Sequence, residues 1–354
     1  MNELEKKEYS FINVSKFFVM IHVVILHTIM DNRNLIFKIV QVGVMAYFFF
    51  ASGFLFDSDI NILSLRKAFL KNIEKLIIPY LSLSLIGMYV CYYFPNWYGE
   101  YKFEDYIKSI FFIGQPIGYG LLWFLICLFF VKTGFLILWC IINLISDIFY
   151  KLFSINKKYI NSALLIIALI TIIIIDGRLY QYLRIELYTR WPLKIDSACI
   201  AIIFYIIGFL TKYLDLYKVF TNKIICIFIL IIMRYLANFI EMNYIVVNNI
   251  CDFLFEDSFY MYLINQIIMI VGFTALGNIF RDVKLFNHIG KNNIYMYLIH
   301  IFVLWYVEYI YCIVNNIENN YEFYDLATIV PISIIAYIVS LIIQEIIIRL
   351  TKVN

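Results

Sequence analysis

Long apolar runs recur along the whole chain, and they limit its fold more than any other feature. A helix needs about 20 predominantly apolar residues to cross the ~30 Å hydrocarbon core of a bilayer. Of the 354 residues, 64% are hydrophobic and only 15% are charged, whereas soluble domains are roughly 45–50% apolar and about 25% charged. Because so little polar surface is available to cover a soluble core, we expect an all-α, polytopic membrane helix bundle.

The spacing of these runs predicts about ten transmembrane helices in a single membrane domain that covers residues 1–354. The predicted spans lie near residues 11–30, 35–56, 76–95, 119–145, 160–176, 197–214, 223–242, 258–280, 292–314 and 326–348. The approach to the fourth span differs, because glycines and a proline interrupt the apolar stretch 103–130. This interruption is typical of a loop or a re-entrant segment.

The distribution of basic residues predicts the orientation of the bundle. If the N-terminus is inside, the inside segments hold roughly twice as many Lys and Arg residues as the outside segments, as the positive-inside rule requires. We therefore expect both termini to face the cytoplasm, with the protein in the cell (inner) membrane as a multi-pass protein.

Three titratable side chains fall within the first predicted span, where charge is costly and often functional. Lys16 and His27 are eleven positions apart, so on a helix they share one face and are separated by about 16 Å along the axis. His22 points about 140° away from His27, which favours a structural role for it. A histidine accepts a proton near neutral pH, so Lys16 and His27 are candidate catalytic residues. The alternatives are a structural histidine, and a Lys16 side chain that snorkels to the membrane interface.

A second feature is the basic segment before the third span. Its cations are Arg66, Lys67, Lys71 and Lys75, and the three lysines recur every four residues, which places them on one helix face. Such a face can bind phosphates. The alternative is an amphipathic helix that lies on anionic lipid.

Other polar positions give weaker signals. His300 lies in the ninth span with Glu308 two turns later, and Arg190, Lys194 and Asp196 precede the sixth. Ser52 and Gly53 are small residues that allow close helix approach. The seven cysteines contain no Cys-x-x-Cys pair, so we predict neither a disulfide framework nor a metal site.

These features occur together and in order, and they resemble the membrane acyltransferase-3 family, which includes bacterial O-acetyltransferases that modify surface polysaccharides. The matching segments are 13–16 (NVSK) with ten residues before His27, 48–54 (FFFASGF), the basic segment ending in 77–80 (IIPY), 122–125 (LWFL), 204–208 (FYIIG) and 289–300 (IGKNNIYMYLIH). The family commonly has an acidic residue in place of Asn13 and often Arg in place of Lys16. Asn13 carries no charge, so it cannot pair ionically with Lys16.

The resemblance implies transfer of an acyl group, usually acetyl from acetyl-CoA, to a sugar hydroxyl. In this interpretation His27 removes the hydroxyl proton or briefly carries the acyl group. Phosphates of CoA, a co-substrate and not a tightly bound cofactor, are bound by Lys16 and by the basic segment. The remaining substrate-binding or supporting candidates are Asn13, Ser52, Trp123 and His300.

The expected partners are an acyl-CoA donor, a carbohydrate or glycolipid acceptor and the lipid bilayer, with no nucleic acid. In the predicted topology His27 lies nearer the outer side than Lys16, which indicates transfer from a cytoplasmic donor to a lipid-linked or outer-face acceptor.

Three other functions remain open at this point. A glycolipid flippase or transporter would have broken helices in matched halves, and only the stretch 114–120 comes close. A polysaccharide polymerase usually needs a large outer loop, whereas the longest predicted here, about 177–196, is modest. A non-catalytic scaffold would leave the Lys16 and His27 face unexplained.

Overall fold

A computed structural model describes residues 9–28, 44–60, 62–93, 101–185, 191–243, 259–315 and 326–352. These residues form helices joined by short turns, with no β-strand among them, which confirms the all-α class. The α-helices are α1 (Ser10–Thr28), α2 (Val44–Phe54), α3 (Ile62–Asn72), α4 (Ile78–Tyr93), α5 (Phe103–Lys108), α6 (Trp123–Phe153), α7 (Lys157–Ile185), α8 (Ile195–Tyr213), α9 (Lys223–Asn243), α10 (Phe259–Ile279), α11 (Lys284–Lys291), α12 (Asn293–Asn315) and α13 (Leu326–Lys352).

Short helical turns of other types connect several of these helices. A π-helical turn, Ile73–Ile77, joins α3 to α4, and a second π turn, Ser109–Ile113, follows α5. Gly114 and Gly118 then adopt positive φ angles of 72° and 78°, which glycine accommodates without a steric penalty. The interruption predicted ahead of the fourth span is therefore present, as a short helix, a π turn and two left-handed glycines.

Seven described helical segments are long and apolar enough to cross a membrane, so the chain is a multi-pass membrane protein. They are Ser10–His27, Gly120–Phe153, Lys157–Leu179, Pro192–Tyr213, Phe259–Ile279, Asn293–Asn315 and Val330–Leu350. These segments correspond to seven of the ten predicted spans. The other three predictions, 35–56, 76–95 and 223–242, coincide with α2, α4 and α9. Helix α2 is apolar but shorter than a span, and residues 35–43 lie outside the described ranges.

The count of ten spans and the cytoplasmic position of both termini stay predictions. The described helices belong to two compact units. Unit 1 comprises Met1–Phe48, Lys218–Asn248 and Glu256–Asn354, and unit 2 comprises Phe49–Tyr217 and Asn249–Phe255. The prediction of one domain over residues 1–354 likewise stays a prediction.

Helix α1 is central to unit 1, where it contacts α10, α11, α12 and α13. Two glycines allow the closest approaches. A Cβ atom at Gly277 of α10 would lie 1.9 Å from Ser15 Oγ and 2.5 Å from the Phe11 carbonyl oxygen. A Cβ atom at Gly290 of α11 would lie 1.8 Å from the Asn13 carbonyl oxygen. These approaches hold the backbone of α1 directly against its neighbours and so position its side chains.

Unit 2 has an aromatic core between α6 and α8. Phe135 and Trp139 of α6 pack against Phe209 of α8, with ring centroids 5.1 Å and 4.7 Å apart. Helix α2 lies against α8 at Gly53, where a Cβ atom would lie 1.9 Å from the Tyr205 carbonyl oxygen. The close helix approach expected at Gly53 is thus confirmed.

We expect Gly277→Ala to lower the thermal stability of the protein, whereas Gly272→Ala on the same helix leaves it unchanged or slightly raises it. Replacing glycine by alanine stabilises a helix by about 1 kcal/mol. At position 277 the new methyl group would clash with the Phe11 backbone, and such overpacking destabilises a protein by about 1–3 kcal/mol or more, which is the larger effect. At Gly272 the nearest atom to a new Cβ is Met233 Cβ at 3.8 Å, an ordinary contact.

The measurement is the melting temperature of each variant in detergent. Equal melting temperatures for the two variants would contradict the close approach of α1 and α10.

Candidate active site

The candidate catalytic histidine, His27, lies in the last turn of α1 beside His300 of α12. The two imidazole rings are 5.3 Å apart between centroids and are tilted by 46°. His300 is fully buried, whereas His27 is only partly buried. The structure therefore brings together two histidines that lie far apart in the sequence, and one of them retains access from outside the core.

The hydrogen bonding of His300 defines the state of its ring. Its Nδ1 atom lies 2.8 Å from the carbonyl oxygen of Tyr297. A carbonyl only accepts hydrogen bonds, so Nδ1 carries the proton and donates it. In the neutral ring this leaves a lone pair on Nε2, an atom that has no hydrogen-bond partner among the described residues. His300 therefore offers an unused basic nitrogen next to His27.

Lys16 lies on the same face of α1 as His27, eleven residues before it. Lys291, at the end of α11, lies close enough to act electrostatically on Lys16, and Asn293 of α12 donates a hydrogen bond from Nδ2 to the Lys16 carbonyl oxygen at 3.5 Å. No ion pair joins Lys16 to an acidic residue in the part of the chain that the structure describes. Two neighbouring cations without a carboxylate favour an anionic ligand.

The side chain of Asn13 points to a different partner. Its Nδ2 atom donates to Asn287 Oδ1 at 2.9 Å, so the uncharged residue takes part in an amide–amide hydrogen bond between α1 and α11.

His22 and Glu308 do not join the histidine pair. His22 Nδ1 donates to the Phe18 carbonyl oxygen at 2.9 Å, and its ring packs edge-on against Phe273. These contacts are typical of a structural histidine. Glu308 is buried on α12, two turns beyond His300, and neither of its carboxylate oxygens has a hydrogen-bond partner within the described ranges.

The basic segment belongs to unit 2. Arg66, Lys67 and Lys71 lie in α3 and Lys75 lies in the π turn that follows, all exposed. Two further candidates also belong to this unit: Ser52 is half-buried on α2, and Trp123 is buried at the start of α6. Among the residues with described positions, no group of three or more His, Cys, Asp or Glu side chains is placed to hold a metal ion.

Two lysines near the candidates were not singled out from the sequence. Lys291 lies near Lys16, and Lys132 of α6 lies near Lys75 and Lys71. A signal for Lys132 existed, since a charged residue inside a predicted span is a functional candidate in its own right. Lys291 lies in the segment 289–300 that carries the family resemblance, but a lysine between two spans is also expected from the positive-inside rule.

The described helices contain seven candidate spans, and the ionisable side chains within them are candidates for a functional site. The model of the acyltransferase-3 family, described as an acyltransferase domain, matches residues 9–345. This match covers nearly the whole chain, so the chain belongs to that family and is a membrane acyltransferase. No curated protein and no solved structure is significantly similar to it.

We expect the paired variant His27→Cys with His300→Cys to be joined by a short bifunctional thiol reagent, because the two native rings are in contact range. The pair His22→Cys with His300→Cys serves as the control, since His22 is directed toward Phe273. Mass spectrometry of proteolytic peptides identifies the linked residues and separates them from native cysteines. Linkage of the control pair but not of the first pair would contradict the observed arrangement of α1 and α12.

Proposed function

We propose that this acyltransferase is an O-acetyltransferase of the cell (inner) membrane. It moves an acetyl group from acetyl-CoA to a sugar hydroxyl of a surface polysaccharide or a lipid-linked glycan. The observation that carries the proposal is the contact between His27 and His300 inside a chain of the acyltransferase-3 family. Acyl transfer to a hydroxyl needs a base near neutral pH, and histidine is the side chain best suited to it.

His27 is the proposed catalytic base, because it is the more accessible member of the pair. It accepts the proton of the sugar hydroxyl while the sugar oxygen attacks the thioester carbonyl carbon. The tetrahedral adduct then collapses, the carbon–sulfur bond breaks, and the CoA thiolate takes the proton back from the imidazolium. In a two-step variant, His27 itself attacks the thioester and briefly carries the acetyl group before the sugar oxygen receives it.

His300 is proposed to support His27. A hydrogen bond from an N–H of His27 to the free Nε2 atom of His300 would set the tautomer of His27 and leave its other nitrogen unprotonated. Neighbouring acceptors orient catalytic and metal-binding histidines in the same way. The hydrogen bond from His300 Nδ1 to Tyr297 supports this arrangement, because it keeps the second ring from rotating.

Cationic side chains are proposed to bind the donor. The basic residues Arg66, Lys67, Lys71 and Lys75 are proposed to supply ammonium and guanidinium groups for the phosphates of acetyl-CoA. Lys16, on the face of α1 that carries His27, is proposed to take part in catalysis. Asn13, Ser52 and Trp123 are proposed to contact substrate or to support residues that do. Acetyl-CoA is a co-substrate in this scheme and leaves as CoA after each turnover.

We expect His27→Ala to abolish acetylation while the protein still inserts into the membrane. General acid–base catalysis contributes about 10²–10⁴-fold to a rate, so the loss in kcat should be of at least that order. The measurement is the mass of the surface glycan from cells that carry each variant. In His27→Ala cells this mass should fall by one acetyl group for each sugar residue that is normally acetylated. His22→Ala is the matched control on the same helix and should retain acetylation.

A glycan mass that is unchanged in His27→Ala cells, with the protein present in the membrane, would remove His27 from the mechanism. A mass difference other than acetyl would retain the acyltransferase but replace the proposed acyl group.

The order of Lys16 and His27 along α1 leads to a second expectation. In sealed vesicles, transfer should occur when acetyl-CoA is on the side that corresponds to the cytoplasm and the acceptor glycan is on the opposite side or in the lipid. The measurement is radiolabelled acetyl incorporation with the donor confined to one side. A requirement for donor and acceptor on the same side would contradict transfer across the membrane.

A further inference from the structure

Lysines from two separate parts of the sequence lie in the same region of unit 2. Lys132, half-buried in α6, is within electrostatic range of Lys75 in the π turn and of Lys71 in α3. Helix α6 contacts both of these elements. Phe69 of α3 packs against Phe129 of α6, with ring centroids 5.9 Å apart. Phe129 and Lys132 are three residues apart and share a helix face, so the aromatic contact places Lys132 on the side that faces the basic segment.

This group of three lysines has no counter-ion within the described ranges. None of the three forms an ion pair with a described carboxylate, whereas Lys157 and Lys223 elsewhere do pair with acids. Glu74 is adjacent in sequence to Lys75, but its exposed side chain makes no ion pair with these amines. Like charges held together beside an apolar span repel one another and are costly. An anion bound between them would remove that cost.

We propose that Lys71, Lys75 and Lys132 form a binding site for a phosphate group, with Lys132 as a binding residue that comes from a transmembrane helix. A phosphate ester has enough charge and oxygen acceptors to receive hydrogen bonds from three ammonium groups at once. Two sources supply this chemistry, the phosphates of an acyl-CoA donor and the headgroup of an anionic phospholipid. Assignment to the donor rests on the proposed function, whereas the site itself rests on the three lysines.

The test compares Lys132→Met with Lys151→Met in lipid nanodiscs. Lys151 is an exposed lysine near the end of the same helix, outside the proposed site. Calorimetry in neutral lipid measures the Kd of CoA and of dephospho-CoA, and native mass spectrometry in phosphatidylglycerol measures retained anionic lipid. We expect Lys132→Met to weaken CoA binding by about ten-fold or more, as loss of a hydrogen bond to a charged group predicts. Lys151→Met should match the unmodified protein, and Lys132→Arg should restore most of the affinity.

Thermal stability separates loss of the site from loss of the fold. Without ligand, Lys132→Met should melt at the same or a higher temperature than the unmodified protein, because one repelling charge is removed. With saturating ligand, it should gain less stability than the unmodified protein, since a ligand stabilises the state that binds it.

The outcomes distinguish failure of the phosphate site from failure of the proposed CoA donor. If CoA binding is weaker in Lys132→Met but not in Lys151→Met, the result supports a donor phosphate at the site. If CoA does not bind to the unmodified protein but retained phosphatidylglycerol depends on Lys132, the phosphate site stands with a lipid in it, and the CoA donor fails. If Lys132→Met changes neither CoA binding nor lipid retention, the phosphate site is wrong.

Discussion

The need to satisfy backbone hydrogen bonds within hydrocarbon is the constraint on which the rest of this structure depends. No water is available there, so each N–H and C=O group must find a partner within the protein, and a helix provides one within its own segment. This is why the described residues are almost entirely helical and why long segments such as α6 and α12 remain unbroken. Within the described ranges, irregular backbone is confined to short connections, including the π turns and the left-handed glycines Gly114 and Gly118.

Within such a bundle the apolar faces of the helices do not by themselves specify which neighbours meet, since lipid is as apolar as a helix surface. Close packing at small residues and hydrogen bonds between helices then decide the contacts. In unit 1, Gly277 brings the backbone of α10 against α1, and Ser15 Oγ donates to the Phe273 carbonyl oxygen at 2.8 Å. Contacts of this kind determine where the side chains of α1 lie, including His27.

Among the described residues, several lysine side chains lie near other lysines and are not paired with carboxylates. Lys16 lies near Lys291 in unit 1, and Lys132 lies near Lys75 in unit 2. A structural role would pair each lysine with a carboxylate, as Lys223 pairs with Asp282. Unpaired groups of like charge are instead suited to a ligand that brings the opposite charge, and phosphate groups of a nucleotide-containing donor have that property.

The sequence by itself determined the helical class, seven of the spans and the shared face of Lys16 and His27, because these follow from composition and from the 3.6-residue period of one helix. It also marked Gly53 as a point of close approach. Only the tertiary structure decided that His27 contacts His300 and that Lys132 lies near Lys75, since these pairs are far apart in the chain. Helical periodicity is a local property, whereas the choice of neighbour depends on how whole helix surfaces fit together, and no single segment of sequence contains that information.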